Sequence, residues 1–528
     1  MFIKKAKKVL LGATLLLTSS FFLLTSCGEK STPETLFKET VKSEVTSFTN
    51  PIVNGVYEAL DNVSSNEIAA EGSLTLQIGN GLRPLLKIVA DEIGMSVSWI
   101  KTLSFNIHET IKDTSIGAAI ITSLNDQKLF TTNFLVDTKE SQVYLQIPEI
   151  IKKYFYLQNE ELSDAFSEYN EALNEIYKYL KMLPEKEVVT ALVNEMIDSI
   201  LQSITLVDEE NKTVTVKNKD GEVSQNYKAL TTKIDSDTAT KIYDNFYNCL
   251  KESRNLQKIA KSAENILNTQ NGYTYIEAKD IIEEFIYEAT DAVEEFLEIY
   301  PEITVYTNDK KEFGGIEITA EGETVSYLTP STKDKFAVEF SVSSDVFLTG
   351  YGSKKGNEYS GNFKFLSNYE ELLVLETKNL SMNNLGFTGT ITLSPSDILI
   401  SELQSSLKYS NLSSLSSFLD SIKLSITGES VTKNEQKFSF TVSDSDDLDY
   451  FSVSVNAKNT KPFSMTKPSD KEILDIENMD EYDLEDLIYE IDLKPIAESL
   501  DKAGAPSKIT SLVNSLDPDS LLELLEDL

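Results

Sequence analysis

Apolar residues beyond position 35 recur first at helical spacing and then at strand spacing. Phe37, Val41, Val45 and Phe48 fall four and three apart, and the series resumes after Pro51 with Ile52, Val56 and Leu60. This spacing predicts a helix to Pro51 and a second set of turns beyond it. Alternation follows: Leu74, Leu76 and Ile78, then Leu103, Phe105 and Ile107, read as half-buried strands. The near-continuous apolar stretch from Ile116 to Ile121 predicts a strand covered on both faces, and Leu129–Val136 and Gln142–Ile147 complete a meander.

The middle of the chain changes period. Leu162, Phe166, Tyr169, Leu173, Ile176, Leu180 and Leu183 keep four-and-three spacing up to Pro184, and 188–201 carries a second apolar face. The two read as an αα-hairpin whose stripe is packed internally rather than offered as a coiled coil. Asp220-Gly221 is expected as a type I′ turn between Thr213–Lys217 and Val223–Ile234. Ile242, Phe246, Cys249 and Leu250 mark another helix, and Ile282, Phe285, Ala289, Val293 and Phe296 its partner, ending at Pro301.

From Ile303 to Val455 short alternating runs return at 313–320, 336–342, 359–365, 372–375, 386–393, 424–428, 438–442 and 451–455. A helix around Leu412, Leu415, Leu419 and Ile422 interrupts them, and an acidic helical segment closes the chain from Pro462, with a last helix capped by Asp517-Pro518. The pattern is α+β, with antiparallel meanders packed on helices, a helical insert and an acidic C-terminal segment. The expected pieces are a first sheet-plus-helices domain at 36–301, a second antiparallel sheet domain at 302–461, and an acidic helical tail at 462–528.

The first 26 residues follow another logic. Lys4, Lys5, Lys7 and Lys8 precede an apolar run from Val9 to Leu24. A basic end that stays in the cytoplasm and an apolar run that enters the bilayer make an export signal. The run is shorter than the roughly 20 apolar residues of a permanent span. It ends in Leu24-Thr25-Ser26-Cys27, followed by Gly28. This stretch resembles the lipobox of bacterial lipoproteins. The resemblance implies cleavage between Ser26 and Cys27, thioether lipidation of Cys27, a tether at 27–35, and a chain anchored by lipid on the extracytoplasmic face of a cell membrane.

The formal net charge of −37 becomes about −41 once the four leader lysines are removed. Such a surface repels phosphate backbones and excludes nucleic acid as a partner. The chain has two cysteines; with Cys27 lipidated, Cys249 has no intrachain partner and stability must come from burial.

Chemistry finds little to build on. His108, the single histidine, shares a strand face with Ser104 and Asn106, so a solvent-facing role is expected. It leaves no histidine for a multi-histidine metal site, and no G-x-S-x-G elbow accompanies it. Cys249 sits on an apolar helical stripe as a small hydrophobe. Asp444-Ser445-Asp446-Asp447-Leu448-Asp449 lacks the glycine and glutamate of a calcium loop and reads as an acidic hairpin turn. The glycines at 79/81 and 350/352 belong to no phosphate loop and are expected in turns. No catalytic residue, metal ligand or cofactor site is assigned, and the chain is expected not to be an enzyme.

The leader, the N-terminal helices, the strand meander and the segment Gln142-Val-Tyr-Leu-Gln-Ile-Pro148 together look similar to bacterial lipoproteins of LolA/LppX-like architecture. That resemblance implies an incomplete antiparallel barrel around helices, holding a lipid or another apolar ligand. The alternative is a structural or protein-interaction lipoprotein of the envelope with a filled core and no ligand cavity.

Overall fold

The computed structural model describes residues 32–520 except 64–66, 84–85, 87–96, 113–114, 159, 271–274, 384–385, 408–421, 433, 445, 461–465 and 519. The leader with Cys27, Leu412, Leu415 and Leu419 of the expected helix and the leucines at 521–525 lie outside these residues. Helix α1 (Pro33–Val63) leads into strands β1 (Glu67–Ile78), β2 (Thr102–Lys112), β3 (Ser115–Leu124), β4 (Gln127–Asp137), β5 (Gln142–Gln146) and β6 (Tyr154–Leu157). Helices α2 (Glu160–Met182) and α3 (Lys186–Leu201) precede the hairpin β7 (Asp208–Asn218) and β8 (Gly221–Lys233). Three more helices follow: α4 (Ser236–Glu252), α5 (Arg254–Gln270) and α6 (Ala278–Leu297).

Seven strands come next: β9 (Glu302–Thr307), β10 (Phe313–Ala320), β11 (Glu323–Leu328), β12 (Lys335–Val342), β13 (Asp345–Lys355), β14 (Glu358–Ser367) and β15 (Glu370–Asn383). Then come β16 (Gly386–Pro395), α7 (Asp397–Leu407), β17 (Lys423–Val431), β18 (Glu435–Ser443) and β19 (Asp449–Asn459). The C-terminal segment holds β20 (Ile473–Asp475), α8 (Glu481–Glu490), α9 (Lys494–Lys502) and α10 (Ser507–Ser515). The fold is α+β with unclosed antiparallel sheets, as the alternation indicated.

Two compact units interleave along the chain. One takes residues up to Val63, Tyr177–Gly386 and Pro395–Ser406; the other takes Ser64–Ile176, Phe387–Ser394 and Leu407–Leu528. The boundaries expected at 301 and 461 do not coincide with them. Strand β9 pairs with β8 across the first, and β20 pairs in parallel with β6 across the second. The acidic segment is no separate tail: Asp492 N donates to Ile150 O at 3.0 Å, and Asn125 Nδ2 to Ala503 O at 2.6 Å.

In the first unit β7 to β15 pair in sequence order, each antiparallel to the next. One sheet face packs on helices. Leu230, Val305, Ile318 and Val338 meet Phe37 of α1, Leu201 of α3, Ile242 of α4 and Leu297 of α6. On the opposite face the β7–β8 hairpin supplies Val216 and Val223 against Ala337 of β12, with Tyr351 of β13 packed beside them. Its turn is Lys219-Asp220, one residue earlier than expected. Neither residue has positive φ, and the Asn218 side chain accepts from the N–H groups of Asp220 and Gly221, so the turn is not type I′. Gly221 is required by close approach, since a Cβ there would lie 2.4 Å from the Tyr351 ring.

Other expectations are corrected in detail. Pro51 lies inside α1 rather than at a new start; in the turns before it, Thr46, Ser47 and Thr49 hydroxyls bond back to helix carbonyls. Gly350 and Gly352 are strand residues of β13, where Phe363 and Phe336 leave no room for a Cβ. Of the α2 stripe, the side chains of Leu162, Tyr169 and Leu173 lie outside the described ones; Phe166 and Leu180 are half-buried and Ile176 is 46% exposed.

Helix α1 carries one ionisable group that matters to stability. Glu44 is half-buried and forms no ion pair among the described residues, and burial raises its carboxyl to about 8 from 4.5. The native state therefore keeps a proton that the unfolded chain releases, and stability falls as pH rises from about 4.5 to about 8. Glu44→Gln is expected to flatten this slope and stabilise the first unit by about 2 kcal/mol at pH 8, less than full linkage because the carboxyl is only partly covered. Urea unfolding near the two ends of that window checks it; an unchanged pH slope would refute the assignment.

Candidate functional site: an apolar sheet face

The second unit contains a sheet whose two faces differ sharply. Its strands run β16–β17–β18–β19–β1–β2–β3–β4–β5–β6, each antiparallel to the next, and β20 lies parallel beside β6. Directly opposed residues of an antiparallel pair share a face, so register decides which side chains join.

Following one row across the sheet, Ile391 faces Ile426, Ile426 faces Phe440, and Phe440 faces Val453. The row continues through Leu76 and Leu103 to Leu124. A neighbouring row joins Phe438, Val455, Leu74 and Phe105. The opposite face is a lawn of hydroxyls and amides: Thr390 bonds Thr427 at 3.0 Å and Thr392 bonds Ser425 at 2.9 Å, with Ser454, Thr75 and Ser104 beyond. The alternation in each strand is thus extended by register over seven strands, roughly 29 Å at the usual strand spacing.

The apolar face is not sealed. Leu76 is 38% exposed, Ile426 42%, Phe451 38% and Val455 45%. Every cluster of mutually packed buried hydrophobics among the described residues lies in the first unit. Aromatic pairs stand on the open face, Phe387 with Phe438 at 5.9 Å between ring centroids and Phe440 with Phe451 at 6.3 Å. Apolar side chains left wet on neighbouring strands are costly, and contiguous patches of them are where binding surfaces occur. From β17 to β2 the central rows of this face carry no charged side chain, and the row through Phe105 meets Thr122 on β3.

The residues singled out from sequence are not brought together. His108 lies on the polar face, half-exposed, its Nδ1 3.4 Å from Glu71 Oε1. Cys249 is half-buried in the first unit with Sγ 3.4 Å from Glu195 O, and burial pushes its thiol up, away from the thiolate. The 444–449 segment is the β18–β19 turn. Asp444 Oδ1 accepts from Asp446 N at 2.9 Å and Leu448 N at 2.8 Å, while Asp447 pairs with Lys423 at 2.8 Å. Tyr306, fully buried, donates to Glu317 and accepts from Lys212 at 2.7 Å; burial and Glu317 hold its phenol well above the ordinary range, so it stays protonated. The open face itself escaped sequence reading, because its signal lay in the pairing of β1 with β19.

No helix among the described residues is long and apolar enough to cross a membrane. No family model and no curated protein matches the sequence. One solved structure, a tryptophan-to-alanine mutant of the vaccine antigen transferrin binding protein B from Haemophilus parasuis, is 10% identical over 75% of this chain and 77% of its own, with a TM-score of 0.10. At that score the likeness carries no argument.

Proposed function

We propose that this chain is a lipoprotein held on the extracytoplasmic face of a cell membrane by lipid on Cys27, and that it binds a lipid or another apolar ligand without catalysing a reaction. The leader supports the anchor. The observation that carries the binding role is the apolar face of the second unit, open on β17, β19 and β1, where Ile426 and Val455 are more than two-fifths exposed. The test is extraction of bound lipid from the full-length protein purified out of its own membranes, compared with Ile426→Asp. A carboxylate set among apolar contacts is expected to cut retained lipid at least tenfold, while the exposed position leaves folding intact. Native protein that carries no lipid, with none able to displace ANS from it, would sink the proposal.

A second reading, an envelope protein that binds another protein, is favoured by α2, which leaves Ile176 exposed. Its expected sign is a crosslink from α2 to a partner on intact cells.

A further inference from the structure

We infer that helix α2 binds the α2 of a second copy of this chain, the two helices lying antiparallel. This rests on the reading of α2 as a protein-binding surface and names its partner. The helix is 23 residues long, about 34 Å. None of the other described elements packs along it, yet a helix draws most of its stability from burying an apolar stripe. Its stripe keeps four-and-three spacing over three heptads, with Phe166 and Leu180 at a positions and Ile176 and Leu183 at d. Ile176 is 46% exposed and Leu183 36%, so the C-terminal half of that seam stands open.

Charge selects the partner. In a chain of net charge −37, two copies repel wherever their acidic surfaces meet. The α2 seam escapes this, because the positions flanking it hold no charge: Ala165, Ala172 and Tyr179 on one side, Ser163, Asn170 and Tyr177 on the other. Ser163, Ala165 and Ala172 are exposed, and their small side chains let a second helix come close. Further out, charge is unevenly divided. Residues 160–171 carry five acids and no base, whereas 172–182 carry one acid, Glu175, and two lysines, Lys178 and Lys181. Parallel copies would set one acidic half beside the other. Antiparallel copies set each acidic half beside the partner's lysines and bring opposite ends of the two helix dipoles together. The arrangement has a two-fold axis, so one surface serves both copies.

The experiment keeps the full-length chain in its own membranes. Two copies are made together, one with a histidine tag and Ala165→benzoylphenylalanine, the other with a different tag. Irradiation is expected to give a product carrying both tags, with the probe joined to residues 176–183 of the second copy. Ile176→Asp in both copies should cut that product at least tenfold. Ser167→Asp, on the outer side of the same helix, should leave it within about twofold. Equal loss in the two variants, or attachment at 160–169 of the second copy, overturns the antiparallel seam. Attachment only to a different protein overturns the second copy as partner and leaves α2 a binding surface. Attachment to no protein overturns both.

Discussion

A Cys27→Ser chain grown with a palmitate analogue is expected to stay unlabelled and to leave the membrane fraction, whereas the native chain takes label and stays. The effect should be all-or-none, because no other residue of the leader supplies a thiol. Two or more acyl chains on one residue hold a protein stably at a bilayer, and one chain holds it only reversibly. With about −41 charges on the mature chain, the remaining surface gives no electrostatic attraction to anionic lipid. The measurement is label per protein in washed membranes together with the N-terminal residue of the mature form. If both chains stay unlabelled, and the mature chain begins elsewhere than Cys27, the anchor is wrong.

The second large effect is structural. Lys364 of β14 is 7% exposed, and its ammonium lies 2.6 Å from Asp220 and 3.6 Å from Glu371. Lys219 also pairs with Glu371, and Asn218 donates to Thr349 at 3.1 Å. These contacts fasten the tip of the β7–β8 hairpin to β13, β14 and β15. Lys364→Ala leaves Asp220 without its counter-ion; because Asp220 and Glu371 side chains are 28% and 31% exposed, the expected loss is about 3 kcal/mol, at the low end for breaking a buried pair. Hydrogen exchange of the β7 and β8 amides should accelerate roughly a hundredfold. Replacing Asp220 by Asn in the same chain should recover part of the loss, since the orphaned charge goes with it. Exchange at the native rate in Lys364→Ala would show that the clasp contributes nothing.

Local periodicity carried much of the secondary structure. The alternating runs at 74–78, 103–107, 438–442 and 451–455 became strands because one face of each is apolar, and period two is visible without tertiary knowledge. Strand β13 was harder: Gly350, Gly352 and Ser353 interrupt its alternation, and only the aromatic rings of Phe336 and Phe363 explain the glycines. Helix α5 went unread although Leu256, Ile259 and Ala260 sit at helical spacing; its polar majority masked them. The α2 stripe is the reverse case. Its period is regular, yet regular spacing states only that a face exists and not what covers it.

The candidate site needed more than periodicity. Each strand of the open face showed its apolar side, but the face arises only when Leu74 meets Val455 and Leu76 meets Val453. Those partners are most of a chain length apart, and nothing local to either strand specifies the match. The two compact units interleave along the chain, so their limits are not legible from chain order.

The long-range pairing of β1 with β19 also sets a timetable. A ribosome delivers β1 to β6 early, then all of 177–386, and only afterwards β16 to β19. The inner stretch can finish its sheet while the outer one still waits with bare strand edges, which invite pairing with any other extended chain. The vulnerable interval in the life of this protein is therefore the time between the appearance of β1 and that of β19, while the edge of β1 stands open to other chains.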